Sequence, residues 1–255
     1  MIFRSIADSL YERYLKIQCR HVPGHVAIIQ DGNRRYAKQF GIDTAKGHRA
    51  GADKTEEMLD WAHELGIRHI TLYTFSTENF SREKEEVDHL FALFREKFLS
   101  VLSDERVKKY RIRVRMVGDR TMLPADLKAA VDAAEAATKD NTGFQLNIAL
   151  AYGGRNEIVA AAREILADVE QKRIVPGQID ARMVEEHIHS RNGIPPVDLI
   201  IRTGNECRTS NFLPWLANGH ESAVCFCAPY WPLFRKIDLL RAIRVYDQRV
   251  TAKRG

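Results

Sequence analysis

The segment HVAIIQDGNRRYA (25–37) decides the expected fold. Its first half is a short, continuous apolar run, which is typical of a strand buried on both faces of a parallel sheet. The run stops at Asp31-Gly32, where glycine allows the chain to turn tightly. A longer helical pattern follows, and after it comes a second apolar run, HITLYTF (69–75). A strand, a helix and another strand in this order indicate a parallel sheet covered by helices.

The same alternation of short apolar runs and longer helical patterns continues along the chain. It predicts an α/β fold, with a single domain over residues 1–255 and a mostly parallel six-stranded sheet flanked by helices. The predicted strands span 25–30, 69–75, 111–117, 144–151, 197–201 and 223–227. The predicted helices span 3–18, 50–65, 84–102, 125–138, 155–170, 180–188 and 236–250.

Two of the predicted helices carry distinct apolar faces. In residues 84–102 the face is broad and rich in phenylalanine, and it fits either ordinary core packing or the wall of an apolar tunnel. In residues 3–18, apolar side chains recur at three- and four-residue steps, the pattern of an amphipathic helix. The members of this stripe are Phe3, Ile6, Leu10, Tyr14 and Ile17.

Composition narrows the range of functions without choosing one. The chain has 255 residues, 45% of them hydrophobic, a net charge of +5 and a pI of about 9.0. A basic balance suits nucleic acid, phosphorylated substrates or an anionic membrane surface, and it also fits simple solubility. The basic run at 241–254 is open to two interpretations, a solvated face or a peripheral contact with anionic lipid. We expect neither a signal peptide nor a membrane-spanning helix, because no run of about 18 apolar residues occurs.

The spacing of cysteine and histidine argues against a zinc site. The four cysteines form no CxxC pair, and His187 and His189 would point to different faces of a helix. Cys225 and Cys227 lie in the apolar run AVCFC, where we expect buried free thiols. Free thiols fit a reducing cytoplasm, which is the predicted location.

Polar residues gather where the predicted strands end. Ligands of open α/β sheets bind beyond the carboxyl ends of the strands. Arginine forks and glycine turns there suit a diphosphate, although glycine, serine and asparagine are also ordinary turn and cap residues. Neither a P-loop nor a GxGxxG motif is present. Five of the six segments that follow the strands contain arginine: 31–36, 76–82, 118–120, 152–156 and 202–211.

Asp31 directly follows the first strand and is open to two interpretations. Its carboxylate is placed to hold Mg²⁺ against a phosphate, because hard oxygen ligands suit this ion. A lone aspartate after a strand is also a common turn or helix-cap residue.

Six segments resemble the ordered motifs of the cis-prenyltransferases, the undecaprenyl and dehydrodolichyl diphosphate synthase family. The resemblance extends over about residues 21–247, and the forms Asn-Arg-Arg-Tyr and Glu-Asn-Phe are more similar to archaeal and eukaryotic members than to bacterial ones. The segments are HVAIIQDGNRRYA (25–37), GHRAG (47–51), LYTFSTENFSR (72–82), LNIALAYGGRNEI (146–158), DLIIRTGNECRTSNFLPW (198–215) and YWP (230–232).

The resemblance implies condensation of an allylic prenyl diphosphate with isopentenyl diphosphate, or a related acceptor, and release of diphosphate. It implies a hydrophobic tunnel, with Mg²⁺ bound by Asp31 and Glu221 and catalytic roles for Asp31 and Asn79. Substrate contacts are implied for Gly32, Asn33, Arg34, Arg35, Tyr36, His48, Ser76, Thr77, Glu78, Phe80, Arg82, Arg202, Arg208, Thr209 and Ser210.

These implied substrate residues divide into two groups. Residues 32–36 and His48 resemble the cradle of the allylic diphosphate. Arg202, Arg208 and Ser210 resemble the clamp on the second diphosphate. We also expect a homodimer and no nucleic-acid partner.

Three departures from the family pattern bear on these roles. Thr44 stands where bacterial members have arginine, which weakens that contact or shifts it to Lys38 or Lys46. Asn205 stands where the family commonly has glycine, and its added bulk beside the second diphosphate site leaves the identity of the acceptor open. The segment WLANGHE (215–221) also differs from the usual form, so Glu221 matches less directly than Asp31.

Two other functions are considered beside the active enzyme. One is a non-catalytic partner subunit, a role known for relatives in eukaryotes. The other is an unrelated phosphate-binding α/β module, which does not explain the ordered motifs. A degenerate partner should have lost some of the key residues, whereas all four are present here: Asp31, Asn79, Arg202 and Arg208. The trans-prenyltransferases are disfavoured because the chain contains no Asp-Asp pair.

Overall fold

A six-stranded parallel β-sheet forms the centre of the computed structural model, which describes residues 2–217 and 222–254. The strands are β1 (His25–Ile29), β2 (His69–Ser76), β3 (Ile112–Val117), β4 (Phe144–Tyr152), β5 (Leu199–Arg202) and β6 (Ala223–Phe226). They lie in the order β3-β4-β2-β1-β5-β6, and every pairing is parallel. All six predicted strands are therefore confirmed, each within two residues of its expected bounds.

Nine α-helices surround the sheet in the described part of the chain. They are α1 (Ile2–Gln18), α2 (Asn33–Phe40), α3 (Thr44–Glu64), α4 (Lys84–Ser100), α5 (Glu105–Lys109), α6 (Ala125–Thr138), α7 (Gly154–Glu170), α8 (Ala181–Asn192) and α9 (Lys236–Arg254). Helices α3, α4, α6 and α9 contribute to the core on one face of the sheet, while α7, α8 and the segment 212–216 cover the other.

The alternation of side chains along β1 supplies both layers of the core. Val26 and Ile28 belong to the cluster on one face, and Ala27 and Ile29 belong to the cluster on the other. All five residues of β1 are buried. Because both faces of β1 are buried, its sequence is a continuous apolar run rather than an alternation of apolar and polar residues.

Two helices lie where the sequence predicted none, and one begins early. Helices α2 and α5 were not predicted, and α3 begins at Thr44 rather than at residue 50. The segment before residue 50 contains Gly47, which lowers intrinsic helix propensity. A Cβ at Gly47 would lie 2.6 Å from the carbonyl oxygen of Asn33, so glycine is needed here for close packing of α2 on α3. Tertiary packing has therefore overridden local propensity.

The predicted helix over residues 3–18 is confirmed as α1, and the described members of its apolar stripe are exposed. The side chains of Leu10, Tyr14 and Ile17 are 61%, 52% and 77% exposed. Leu15 is fully buried instead and packs with Ile237 and Leu240 of α9. The side chains of the other two stripe residues, Phe3 and Ile6, lie outside the described part of the chain. Helix α1 therefore contacts α9 through Leu15, while the described residues leave Leu10, Tyr14 and Ile17 uncovered.

The four cysteines are free thiols, as predicted, but Cys225 and Cys227 are half-buried rather than buried. Among the residues that the structure describes, no helix has both the length and the apolar character required to cross a membrane.

A polar chain runs through the buried sheet from β1 to β4. The ring nitrogen Nε2 of His25 lies 2.8 Å from Oγ1 of Thr71, which accepts a hydrogen bond from Asn147 at 3.1 Å. On its other side, Nδ1 of His25 lies 2.9 Å from the carbonyl oxygen of Pro195. Only a neutral ring with the proton on Nδ1 donates to Pro195 and accepts from Thr71.

Burial lowers the pKa of His25 from 6.5 to about 4, against the opposing hydrogen bond to Pro195. The folded protein therefore excludes the charged ring, whereas the unfolded chain binds a proton below pH 6.5. The contribution of His25 to stability is complete above pH 6.5 and declines as the pH falls to 4, by about 3 kcal/mol.

Urea unfolding at pH 7 and pH 4 measures this loss. The variant His25→Asn is the control, because its amide keeps a donor but does not titrate. We expect the wild type to lose more stability than the variant between these two pH values. Equal losses would contradict the assignment.

Candidate active site

The carboxylate of Asp31 lies between two guanidinium groups at the carboxyl end of β1. Its Oδ1 accepts a hydrogen bond from Arg35 at 3.0 Å, and its Oδ2 accepts one from Arg202 at 2.7 Å. Arg202 is the last residue of β5 and pairs with Ile29 in the sheet register, which brings it beside Asp31. Strand β1 is also where the chain changes direction across the sheet, and such positions bind ligands in open α/β folds.

Arg202 also organises the loop that follows β5. Its side chain is only 4% exposed, and its NH1 group donates 2.6 Å hydrogen bonds to the carbonyl oxygen of Arg208 and to Oγ of Ser210. The loop turns through left-handed backbone at Gly204 and Asn205, with φ of 82° and 57°. Asparagine tolerates this conformation better than most residues, so it can stand where the family commonly has glycine.

The YWP segment (230–232) holds the Asp31 turn in place. Gly32 has a φ of 112°, and a Cβ there would lie 2.8 Å from Cβ of Tyr230. The backbone N–H of Trp231 donates to the carbonyl oxygen of Asp31 at 3.0 Å, and its indole N–H donates to that of Gly51 at 2.7 Å. The role of this motif in the structure is therefore to fix the turn from behind.

The predicted phosphate loop is the first turn of a helix. Helix α2 begins at Asn33, so the backbone N–H groups of Asn33, Arg34 and Arg35 occupy its open N-terminal turn. Such a turn binds anions through free N–H groups and the helix dipole. Tyr36 packs on Phe40, with ring centroids 4.7 Å apart, and does not line the cleft.

Asn33 lies where α2 meets α3. A Cβ at Gly51 would lie 2.4 Å from Oδ1 of Asn33, which explains the second glycine of GHRAG. This Oδ1 is buried and has no hydrogen-bond partner among the described residues. Buried polar atoms are normally paired, so the amide is placed for a ligand or a water molecule.

Glu86, which the sequence analysis missed, links three predicted site residues. Its Oε1 lies 3.1 Å from Nε2 of His48, 3.0 Å from NH1 of Arg82 and 3.8 Å from Nε of Arg34. Arg82 lies just before α4 and Glu86 lies in its first turn, so the short separation of the two residues along the chain was the only sequence signal.

The pKa values of His48 and Glu86 are both lower than the ordinary values of these groups. Burial lowers the pKa of His48, although the hydrogen bond to Glu86 opposes the shift. Burial acts to raise the pKa of Glu86, but the hydrogen bond with His48 and the charges of Arg82 and Arg34 outweigh it, so this pKa is lowered. At neutral pH a neutral His48 therefore donates to an ionised Glu86.

The segment after β2 forms a capped 3₁₀ turn, Thr77–Ser81. Ser76 and Asn79 form a reciprocal capping box, in which the backbone N–H of Ser76 donates to Oδ1 of Asn79 at 3.0 Å. Asn211 donates to Glu78 at 3.0 Å, so this turn touches the loop after β5. Ser76 and Asn79 thus have a structural role as caps, whatever chemistry they also perform.

Phe80 stands behind the tunnel wall rather than on it. Its ring packs against Phe75 and Phe91, with centroids 4.9 and 5.9 Å away. It is absent from the lining of the apolar cavity, whereas Phe94 and Phe98 of α4 line it. The predicted use of α4 as a tunnel wall is therefore supported by the cavity, and Phe80 supports that wall from outside.

A polar cleft and an apolar cavity meet at four shared residues. The cleft has a volume of about 580 Å³ and contains Asp31, Arg34, Arg35, Arg82 and Arg208 in its lining. The cavity, of about 170 Å³, continues between α3 and α4 and is lined mainly by apolar side chains. The four shared residues are Gln30, Asn33, His48 and Thr74. The site is therefore shaped for a molecule with an anionic head and a hydrocarbon tail.

The structure brings together only part of the predicted set. Thr77, Glu78, Thr209 and Ser210 do not line the cleft, and neither does Arg202, to which Ser210 is hydrogen-bonded. Glu221, the second predicted metal ligand, lies outside the described residues. Glu206 was not predicted as a site residue, yet it contacts Arg35 at 3.4 Å and Arg208 at 3.3 Å.

A magnesium ion at Asp31 fits the donor set only if a phosphate supplies further ligands. In the part of the chain that the structure describes, no three His, Cys, Asp or Glu side chains are grouped to hold a metal ion. Mg²⁺ is usually bound by one or two carboxylates together with waters and substrate phosphates. A single carboxylate beside an arginine-lined cleft is compatible with that mode.

Comparison with known proteins agrees with this architecture. A family model described as "Putative undecaprenyl diphosphate synthase" matches residues 29–253. A Methanosarcina mazei protein named tritrans,polycis-undecaprenyl-diphosphate synthase (geranylgeranyl-diphosphate specific) is 48% identical over 248 residues, covering 96% of this chain and 83% of its own length. A Haloarcula marismortui protein of the same name is 49% identical over 246 residues, with coverages of 96% and 81%.

The fold is also similar to that of a solved structure over most of the chain. The crystal structure of lavandulyl diphosphate synthase from Lavandula x intermedia, in complex with dimethylallyl diphosphate, aligns with a TM-score of 0.82 and 36% identity. The alignment covers 89% of this chain and 95% of that one. Since the family model spans most of the chain and the relatives approach half identity, this chain belongs to the undecaprenyl diphosphate synthase family and is a cis-prenyltransferase.

Proposed function

We propose that this cis-prenyltransferase extends an allylic primer of the geranylgeranyl class with isopentenyl diphosphate, in a Mg²⁺-dependent reaction within one domain over residues 1–255. The observation that carries the proposal is the arginine-lined cleft that opens into an apolar cavity through four shared residues. The names of the archaeal relatives support the primer class. The alternative of a non-catalytic partner has no supporting feature in the described site.

The first proposed step is loss of the allylic diphosphate. The cleft residues Arg34 and Arg35 and the N-terminal turn of α2 hold the departing phosphates, and His48 lies at the inner edge. Negative charge gathers on the leaving group as the C–O bond breaks. Fixed donors that meet this charge lower the barrier without having to reorganise.

A bound Mg²⁺ would be held by Asp31 together with the diphosphate and would neutralise charge on the leaving group. To take part, the Asp31 carboxylate must share its oxygens with Arg35 and Arg202, which both contact it here. The two arginines keep the carboxylate oriented towards the cleft edge.

The second proposed step is attack by the acceptor alkene. Arg202, Arg208 and Ser210 would hold the acceptor diphosphate, and Arg208 is accessible for this because its side chain is 67% exposed. Holding the alkene against C1 of the allyl group removes much of the entropic barrier. A proton then leaves the new chain. Since Ser76 and Asn79 are engaged in capping each other, we favour a diphosphate oxygen as its acceptor.

Asp31 offers the sharpest test of this function. Asp31→Ala removes the carboxylate and leaves the buried Arg202 without its partner, so it should reduce both kcat and stability. Asp31→Asn keeps an oxygen for Arg202 but removes the charge. We expect this variant to fold. Its activation barrier should rise by several kcal/mol, so kcat should fall by about three orders of magnitude.

Single-turnover kinetics with radiolabelled isopentenyl diphosphate, combined with thermal unfolding, measures both effects. Asp126→Asn is the matched control, since Asp126 is an exposed acid that pairs with Arg95 away from the cleft. EDTA should abolish turnover and added Mg²⁺ should restore it. A stable and fully active Asp31→Asn variant would refute the assignment of Asp31.

Arg208 tests the acceptor clamp more cleanly than Arg202. Arg202 is buried and also supports Asp31, whereas the side chain of Arg208 forms an ion pair only with Glu206 among the residues that the structure describes. Arg208→Ala should therefore raise the KM for isopentenyl diphosphate about ten- to a hundred-fold, the loss expected for a charge-assisted contact. The KM for the allylic substrate should change little. Equal effects on both substrates would show that Arg208 belongs to a shared pocket.

We propose a homodimer that covers the free edge of the sheet. Val224 and Phe226 of the edge strand β6 are 38% and 41% exposed. Because an uncovered edge strand can associate with other chains, pairing with a second copy would protect this edge. Sedimentation equilibrium of the full chain tests this, and a monomer at all concentrations would contradict it.

We also propose that α1 and α9 together touch an anionic membrane surface. The exposed apolar residues Leu10, Tyr14 and Ile17 lie on α1, which packs along α9 with its basic residues. Arg241 of α9 lies over the ring of Tyr11, 5.2 Å from its centroid. Apolar area beside positive charge is the combination that binds lipid interfaces.

Flotation with vesicles of anionic or zwitterionic lipid tests the membrane proposal. Ile17→Ser should reduce binding to the anionic vesicles, whereas Val175→Ser, at an exposed apolar position elsewhere, should not. Equal flotation of the wild type with both lipids, or no effect of Ile17→Ser, would contradict the proposal.

A further inference from the structure

Charged residues line the far end of the apolar cavity. Its lining begins at Asn33 and His48, which border the cleft, and also includes Glu56, Lys97 and Arg106. Along α4, Lys97 follows Glu86 by eleven residues, which corresponds to about 16 Å of helix. Glu86 contacts His48 at the cleft, so Lys97 lies at the opposite end of the cavity.

Glu56 is the common acceptor that joins three helices at this end. Its Oε1 accepts a hydrogen bond from Lys97 of α4 at 2.7 Å, and its Oε2 accepts one from Arg106 of α5 at 2.7 Å. Arg106 is held a second time by Asp104, at 2.6 Å. Glu56 itself belongs to α3, so the two helices that form the cavity walls are tied together here. We call Glu56, Lys97 and Arg106 the end network.

The end network lies at a rim rather than in the core. The side chains of Glu56, Lys97 and Arg106 are 37%, 28% and 30% exposed. Burial acts to raise the pKa of Glu56, but its hydrogen bonds to Lys97 and Arg106 outweigh burial, so the pKa is lowered and the group stays ionised. Partly exposed ion pairs are individually weak and sensitive to salt, so such a network can open.

The cavity is too small for a long product. Its volume of about 170 Å³ lies below the roughly 300–1,000 Å³ typical of pockets for small ligands, whereas an undecaprenyl chain is larger than such ligands. A chain that grows from the cleft must therefore widen the cavity or reach its far end. There an apolar tail meets the end network, the neighbouring carboxylates of Asp60 and Asp104 and, beyond them, water. Apolar surface that meets charged groups and water loses the free energy that it gains from burial, which opposes further growth.

We infer that the end network of Glu56, Lys97 and Arg106 is the stop that limits the length of the prenyl chain in this protein. This inference rests on the proposed function and adds to it the residues that set product length. The network acts on the tail of the product. Along the axis of α4 it lies about 16 Å from the contact between Glu86 and His48. Its removal should therefore change where synthesis ends without changing the reaction at the cleft.

Glu56→Leu removes the acceptor that Lys97 and Arg106 share and extends the apolar lining. Glu57→Leu is the matched control, because the same substitution falls on the same helix at a residue that pairs with Lys54 and does not line the cavity. The proteins are incubated with geranylgeranyl diphosphate and radiolabelled isopentenyl diphosphate, and the products are separated by chain length. Total incorporated label is measured in the same samples.

We expect the main product of Glu56→Leu to be longer than that of the wild type by at least one isoprene unit, with similar initial incorporation, and Glu57→Leu to match the wild type. Raising the salt from about 0.1 to 1 M shortens the Debye length from about 10 to 3 Å, and it should lengthen the wild-type products but not those of Glu56→Leu. Lys97→Met provides a second test should Glu56→Leu fail to fold.

Three outcomes would overturn the inference. The first is an unchanged or shorter product from a folded and active Glu56→Leu or Lys97→Met. The second is an equal shift in Glu57→Leu, which would indicate a general effect of α3. The third is absence of label incorporation by the wild type, which would refute the proposed function and this inference with it. The first two outcomes leave the proposed function intact. Failure of this inference can therefore be distinguished from failure of the proposed function.

Discussion

The contact between Asp31 and Arg202 is the constraint on which the rest of the site depends. It joins the ends of β1 and β5 across 2.7 Å, and it places the nearly fully buried guanidinium of Arg202 against a carboxylate. A buried charge without a partner is strongly destabilising, so the surrounding structure must keep both groups in position. The loop after β5 does this from one side by offering the carbonyl oxygen of Arg208 and the hydroxyl of Ser210 to Arg202.

Glycines at close contacts make this arrangement possible. Gly32 allows the Asp31 turn to approach Tyr230, and Gly51 allows α3 to approach Asn33. Gly204 lies against Arg35, where an added Cβ would be 2.7 Å from NH2. Each glycine removes a side chain at a point where two segments cross beneath the cleft. The family motifs thus specify packing around the charged centre as much as they specify chemistry.

Helices α3 and α4 connect the charged centre to the hydrocarbon end of the site. At one end, His48 of α3 meets Glu86 of α4, and at the other end, Glu56 of α3 meets Lys97 of α4. Between these two contacts the facing surfaces are mainly apolar and enclose the cavity. The same pair of helices therefore supplies a polar entrance, an apolar wall and a polar end, which matches an amphiphilic chain that grows from its head.

The amino-acid sequence by itself determined the sheet, its parallel order of strand and helix, and the edge at which Asp31 and Arg202 would meet. Periodicity and the rule that ligands bind at the carboxyl ends of strands act within short segments, so they can be read without a structure. Only the tertiary structure decided that Glu86 and Glu56 are the carboxylates at the two ends of the cavity. It also decided that the helix stripe of Leu10, Tyr14 and Ile17 faces outward. These outcomes depend on which surfaces meet after the helices pack, because contacts between residues far apart in the chain leave no periodic trace in either segment.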